Sequence, residues 1–188
     1  LLKEADLNLK WKAAGVTIWT MDKDILKLMA ETGCQMLGVA IETGTNRIMN
    51  DVIGKPVKLE KITPIIKYAS EELGIFIASN FIIGFPGETW EEIRTTLKYA
   101  ETCGVDYVKI YPAQPLVGTK LYDMAADMDA IVGDHEAVGW RYGRMRSKDF
   151  NEKDISILRV YEWDRINFTD PKKRKRTANI MGISEEKL

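Results

Sequence analysis

This chain of 188 residues has little of what most small catalytic centres are built from: two cysteines, Cys34 and Cys103, and one histidine, His135. Two cysteines without a CxxC pair exclude a disulfide framework and a zinc site of ordinary spacing, and they suit a reducing, cytoplasmic compartment. Each lies beside a glycine, between a helical pattern and an apolar run, where a small buried hydrophobe is wanted. The histidine stands in a Gly-Asp-His-Glu loop and reads as a solvated loop residue. No Gly-x-Ser-x-Gly elbow and no Walker lysine loop is present, which removes two common routes to acyl and phosphoryl transfer. No apolar run approaches the ~20 residues of a membrane-spanning helix. Charge of one sign is also lacking. Twenty-seven Lys and Arg offset 28 Asp and Glu to a net −1, so no overall field draws the chain to nucleic acid or acidic membrane. The chain opens on Leu1-Leu2-Lys3-Glu4 with no methionine, and we read it as beginning inside a larger protein.

What is present is an ordinary soluble composition, 45% hydrophobic and 29% charged, with length for one domain and a tail. A helix-then-strand unit recurs. Asp22 to Glu31 carries Ile25, Leu28 and Met29 at helical spacing, stops at Gly33 and gives way to the apolar CQMLGVAIETG. Lys58 to Leu73 carries Ile62, Ile65, Ile66 and Ala69, stops at Gly74 and leads into IFIASNFIIGFPGET. Trp90 to Glu101 carries Ile93, Leu97 and Ala100, stops at Gly104 and leads into DYVKIYPAQP. An earlier strand falls within Leu7 to Trp19. Asp22, Thr119 and the pair Thr89–Glu92 read as helix caps, the last as a capping box. Pro64 is awkward in a helix that starts at Leu59 and would fit as a first helical residue behind Thr63, so both starts stand.

Strands alternating with helices of this size predict parallel βαβ units with every strand's carboxyl end on one face. That face collects Glu42 to Thr45, Gly84 to Thr89 and Tyr111 to Thr119. Beyond about Asp127 the pattern fades into an irregular stretch, Gly133 to Phe150, which interleaves Trp140, Arg141, Tyr142, Arg144 and Arg146. A helix then runs from Glu152 to Phe168 behind Asn151, Pro171 closes it, and the basic run Lys172 to Arg176 opens a polar tail.

The strand ends offer binding chemistry rather than a nucleophile. Gly84 and Gly87 lack a Cβ, so a ligand can approach the backbone closely. Pro86-Gly87 suits the centre of a type II turn, and the N–H groups of the helix behind Thr89 suit an anion. Glu42 ends an apolar strand, where a carboxylate needs a cation or hydrogen-bond donors. An ammonium group or ribose hydroxyls would serve, and so would a neighbouring Lys or Arg.

Four segments in this order, from about Asp22 to Asp123, resemble the later half of the radical SAM core: Glu-Thr-Gly after one strand, Gly-Phe-Pro-Gly-Glu-Thr after the next, and Leu-Val-Gly-Thr after the last. The likeness is greatest to the broad group of methylthiotransferases and cobalamin-linked radical SAM enzymes. It implies an α/β fold, the later part (about four βα units) of a partial (β/α)6 TIM-like barrel with a C-terminal helical extension, split as residues 1–126 and 127–188. It implies S-adenosylmethionine and a [4Fe-4S] cluster as cofactors of the parent protein, whose reductive cleavage chemistry yields a 5′-deoxyadenosyl radical. A cobalamin domain upstream is compatible with the resemblance and not required by it. Carried over, Glu42 with Thr43 and Gly44 would meet the methionine or ribose part. Asn80 would reach the ribose, Ile82 and Gly84 would line the adenine, Gly87 would shape the turn, and Tyr111 would offer backbone contacts. The CxxxCxxC cluster loop is absent, the family has Gly where Asn80 stands, and its Glu falls one place earlier than Glu88. The resemblance therefore implies a partner in the missing N-terminal half of the same protein, and an isolated chain left unstable or self-associating. RNA contact through the basic run would follow from those relatives that modify tRNA; a solvated tail is the plainer reading. Two rival readings are a diverged scaffold without chemistry and an unrelated α/β enzyme holding a nucleotide or phosphate at its strand ends.

Overall fold

The structure is a computed structural model that describes residues 4, 7–55, 57–133 and 139–188. His135 lies outside the described residues. Four strands form one parallel sheet in the order of the sequence: β1 (Trp11–Val16), β2 (Cys34–Glu42), β3 (Phe76–Ile83) and β4 (Tyr107–Pro112). The helices between them are α1 (Lys23–Glu31), α2 (Leu59–Lys67) and α3 (Trp90–Thr102). The βα alternation read from the sequence is the architecture found.

Side-chain alternation sorts the two faces. Leu37, Val39 and Ile41 of β2 and Ile77, Phe81 and Ile83 of β3 are buried against the helices in the main core. The opposite face carries small residues at its centre, with Gly38 paired to Ala78 and Ala40 to Asn80. Parallel strands of this kind are covered by their crossover helices, which explains their nearly unbroken apolar runs.

The helix starts follow their caps. Asp22 accepts from Ile25 N–H at 2.8 Å, and Thr119 accepts from Tyr122 N–H at the start of α4 (Lys120–Asp127). Thr89 and Glu92 form the reciprocal box expected. Of the two starts open for α2 the structure has the earlier, at Leu59, so Pro64 sits inside the helix and Thr63 is no cap. Proline cannot donate to the carbonyl four residues back, and the helix passes into a wide π-turn at Tyr68–Glu72. Thr63 Oγ1 instead lies 3.0 Å from Tyr99 Oη of α3.

The C-terminal part is more ordered than its sequence suggests. The return of the 127–150 stretch makes an antiparallel bridge between Ile131 and Met145. α5 (Glu152–Phe168) is capped by Asn151 and lies along β4. Pro171 does not end the order there. Asp170 caps a further helix, α6 (Pro171–Met181), in which Pro171 takes the first turn where its missing N–H costs nothing. The basic run is therefore helical, not a loose tail. Lys173 is buried with its Nζ on the Glu101 carbonyl, and Arg176 pairs with buried Asp106 at 2.6 Å.

Candidate functional site

Glu42 ends β2 with φ +78°, a left-handed conformation that costs a residue with a side chain ~1–3 kcal/mol. The next two residues hold it there. Thr43 Oγ1 meets Thr96 Oγ1 of α3 at 3.1 Å, and Gly44 N–H donates to the same hydroxyl at 3.0 Å. A Cβ on Gly44 would stand 2.6 Å from Thr96 Cα and 2.7 Å from Tyr99 Cβ. The exit of β2 is thus pressed onto α3. Thr43 and Gly44 are buried packing residues, and of the three only Glu42 faces open space. Its Oε1 accepts from Lys55 Nζ at 2.9 Å, and Lys55 lies 5.4 Å over the Trp19 ring. Lys55 reaches it because the π-turn Ile48–Ile53 ends on left-handed Gly54 and hands the chain back towards β2.

The Gly84–Gly87 turn has the expected form: Glu88 N–H donates to the Phe85 carbonyl at 3.1 Å, around Gly87 with φ +70°. Its donors, however, are not left for a ligand. Glu88 folds back so that Oε2 accepts from Gly84 N–H at 2.6 Å and Phe85 N–H at 3.0 Å. At the helix start the Thr89 N–H donates to the Glu92 carboxylate and the Glu92 N–H to the Thr89 hydroxyl. The Gly84 and Phe85 donors of the turn are thus met by the chain's own carboxyl group rather than left to an outside anion. Glu88 is wholly buried and its Oε1 has no hydrogen-bond partner. Burial pushes its carboxyl up to about 7, against the pull of the two backbone N–H groups. Glu92, by contrast, is held down to about 2, first by its bidentate bonds to Arg47 at 2.5 and 2.7 Å. Arg47 also donates to the Gly87 carbonyl, which ties the β2 exit to the turn. The two glycines are covered rather than open. A Cβ on Gly84 would meet Ile155 of α5, and one on Gly87 would meet Met128, each at 3.0 Å.

Four of the residues singled out from the sequence converge. Glu42, Asn80, Ile82 and Tyr111 line one cavity of about 270 Å³ at the carboxyl ends of β2, β3 and β4. Phe85, Leu116, Leu121 and Trp140 complete its apolar wall, and Gln114 closes it. The Gln114 carboxamide donates to the Tyr142 carbonyl at 2.9 Å, so the Trp140–Tyr142 loop folds back over the strand ends. Among the described residues nothing hydrogen-bonds the Asn80 carboxamide or Oε2 of Glu42, so both remain for a ligand. The volume is just below the ~300–1,000 Å³ of complete small-molecule sites, which suits one part of a ligand such as a nucleoside. A larger cavity, about 540 Å³, lies behind the turn against Met128, Arg146 and Lys148, and none of the four convergent residues lines it. Sequence reading missed Lys55 and Gln114. Only the strand-end position of Glu42 signalled that a cation was required.

A metal cluster does not fit this chain's own ligands. Cys34 opens β2 and Cys103 follows α3, both at the ends of the strands away from the cavity. Both are buried, and burial pushes both thiols up, away from the thiolate form that binds metal. Among the described residues no group of three or more His, Cys, Asp or Glu is placed to hold a metal ion. Nor is any described helix long and apolar enough to cross a membrane.

A parallel βαβ sheet with its cavity at the strand ends, built from an ordered series of Glu-Thr-Gly and Gly-Phe-Pro-Gly turns, defines a class. Residues 1–100 match the model of the Radical SAM superfamily, and the chain belongs to that superfamily. S-adenosylmethionine is the cofactor that the superfamily's name carries. Over 123 residues the chain is 37% identical to cytidylyl-2-hydroxyethylphosphonate methyltransferase of Streptomyces wedmorensis, covering 62% of this chain and 23% of that protein. Over 149 residues it is 28% identical to tRNA-2-methylthio-N(6)-dimethylallyladenosine synthase of Pseudomonas savastanoi pv. phaseolicola, covering 79% and 33%. Coproporphyrinogen III oxidase (HemN) of Escherichia coli, a radical SAM enzyme, shares the fold with a TM-score of 0.58 at 15% identity, over 82% of this chain and 32% of that one. The chain spans about a quarter to a third of the length of the curated relatives it matches.

Proposed function

We propose that this chain supplies the S-adenosylmethionine-binding strands of a radical SAM enzyme, with residues 1–126 as the later part of the barrel and 127–188 as an extension that closes its last strand. The parent acts where its cysteines act, in a reducing cytoplasm, and its cluster ligands come from the missing N-terminal half. The observation that carries this reading is the convergence of Glu42, Asn80, Ile82 and Tyr111 on one cavity with polar groups unclaimed. On this reading Ile82, Leu116 and Trp140 give a flat apolar slot for the adenine. The Asn80 carboxamide takes ribose hydroxyls. Glu42, oriented by Lys55, receives hydroxyl or ammonium protons. S-adenosylmethionine, when bound, supplies the radical chemistry of the superfamily. The residues here bind and orient it and keep water from the slot.

Anaerobic reconstitution of the full-length protein tests this. Iron and sulfide uptake with reductant-dependent cleavage of S-adenosylmethionine is expected. Asn80→Ala and Glu42→Gln, each removing a polar contact of ~1–2 kcal/mol, should weaken S-adenosylmethionine binding ~5–30-fold at unchanged iron content. A protein that takes up no iron, or variants that bind as tightly as the parent, would leave the scaffold reading instead.

A further inference from the structure

The cavity at the strand ends has a one-sided polar lining. Its polar side chains are those of Glu42, Asn80, Tyr111 and Gln114, with the Trp140 indole, and among the described residues no Lys, Arg or His lines it. An anionic group entering here would meet no free cation, since Lys55 lies outside the lining and is taken by Glu42. Gln114 is held firmly in this wall. The Ala113 N–H before it donates to the Ile83 carbonyl at 2.8 Å, and its own carbonyl accepts from Leu116 N–H at 3.0 Å. Its Nε2 faces two backbone carbonyls, Tyr142 at 2.9 Å and Pro112 at 3.5 Å. Carbonyls accept and never donate, so the nitrogen end of the carboxamide is the end that faces them. Oε1 is the polar atom left over. Gln114 is only 9% exposed, and among the described residues no donor reaches Oε1. An acceptor set this deep is costly to leave unmet, and it stands in the wall of a cavity. Leu116 follows Gln114 by two residues, and Trp140 precedes its partner Tyr142 by two. The carboxamide therefore sits at the edge of the flat slot that Leu116 and Trp140 wall.

We propose that Gln114 sets the base specificity of this site: its Oε1 accepts a hydrogen bond from an exocyclic amino group on the edge of a purine lying in the slot, so the cavity takes a 6-aminopurine and rejects a 6-oxopurine. This role rests on the cavity being the nucleoside part of an S-adenosylmethionine site. A 6-oxo group would set one acceptor against another and leave Oε1 unmet in its nearly buried place. A site built around one polar contact rejects in this way the analogue that lacks it. The Tyr142 carbonyl makes the choice strict. A free carboxamide can turn over and offer its nitrogen to a 6-oxo group, whereas Gln114 would have to give up its bond to Tyr142 to do so.

The test uses the full-length protein and two unreactive probes, S-adenosylhomocysteine and its 6-oxo counterpart S-inosylhomocysteine, with dissociation constants from calorimetry. The parent should bind the 6-amino probe roughly tenfold or more tighter than the 6-oxo probe. Gln114→Met, close in size and without the carboxamide, should weaken the 6-amino probe about tenfold and shrink the preference to within about threefold. Gln114→Glu keeps an acceptor and should keep the parent's preference. A parent that binds both probes alike, or neither, overturns the proposal. So does a Gln114→Met protein that loses affinity for both probes equally, because Gln114 would then only hold the Tyr142 loop. If Gln114→Met does not fold, a folded Gln114→Glu without the preference overturns the proposal and one that has it supports it. Asn80→Ala and Glu42→Gln should weaken both probes alike and leave the preference standing. A preference kept while those two variants bind as tightly as the parent would remove their contacts and leave Gln114 in its role. A preference absent while they weaken binding would do the reverse, so either reading can fail alone.

Discussion

Asn167 on α5 does for the outer edge of β4 what a fifth strand would do. Its Oδ1 accepts from Val108 N–H at 2.8 Å while its Nδ2 donates to the Val108 carbonyl at 2.8 Å and to the Trp163 carbonyl of its own helix at 2.8 Å. The carboxamide copies a peptide group, and Arg159 Nε adds a bond to the Ile110 carbonyl at 3.0 Å. Asn167 and Val108 are both fully buried, so no water replaces a lost partner without rearrangement. Asn167→Ala leaves one donor and one acceptor of Val108 unsatisfied. At ~1–3 kcal/mol each, less what relaxation recovers, the loss is about 3 kcal/mol. Asn167→Asp keeps an acceptor for the Val108 N–H but turns a carboxylate towards two carbonyls, and should cost at least as much at neutral pH. Urea unfolding gives the stability, and amide hydrogen exchange at Val108 gives the local effect, with protection at β2 spared in the folded protein. A loss below ~1 kcal/mol, or unchanged exchange at Val108, would refute the view that α5 seals this edge.

Two further outcomes follow from the site. Gly44→Ala places a methyl group against backbone atoms of α3 at 2.6–2.9 Å, so it should cost ~2 kcal/mol or more and lower the Tm by roughly 4–8 °C; a change under ~1 °C would show that the β2 exit can lift off α3 freely. Glu88 has a folded-state carboxyl raised from 4.5 to about 7, so the folded chain favours its protonated form. Its contribution is complete below about pH 4.5 and is lost as pH rises through 7, by ~3 kcal/mol at most. Glu88→Gln keeps an oxygen for the Gly84 and Phe85 N–H groups without the charge, and should flatten urea midpoints between pH 5 and 8; identical pH profiles for parent and variant would refute this.

Local signals were legible and folded-back ones were not. Asp22, Thr89, Thr119 and Asn151 each cap the helix that the sequence assigns to them, because a cap is decided within three residues. Asp170-Pro171 carries an equally local signal, yet proline both ends helices and begins them, and the reading as a stop hid α6. Gly44 and Gly84 look alike in sequence to glycines that admit a ligand. In the fold the missing Cβ makes room for α3 and α5 instead, a distinction that lies in elements some 50 to 70 residues away. Glu88 was visible only as an acid after a turn. Whether such a carboxylate faces solvent or closes on its own backbone depends on the burial that Phe85 and the 147–150 segment impose.

The two edges of the sheet differ, and the difference gives the chain a direction. β4 is sealed by Asn167 and Arg159, and the lower end is held by α6 through Arg176 on Asp106, whose carboxylate also takes Ser70 Oγ and Ile77 N–H. β1 pairs with β2 in a broken register and meets no further strand among the described residues. An unsealed parallel edge is where another strand adds. A strand added at β1 meets a free edge, while one added at β4 would have to displace α5. A further strand is therefore accommodated on the β1 side alone.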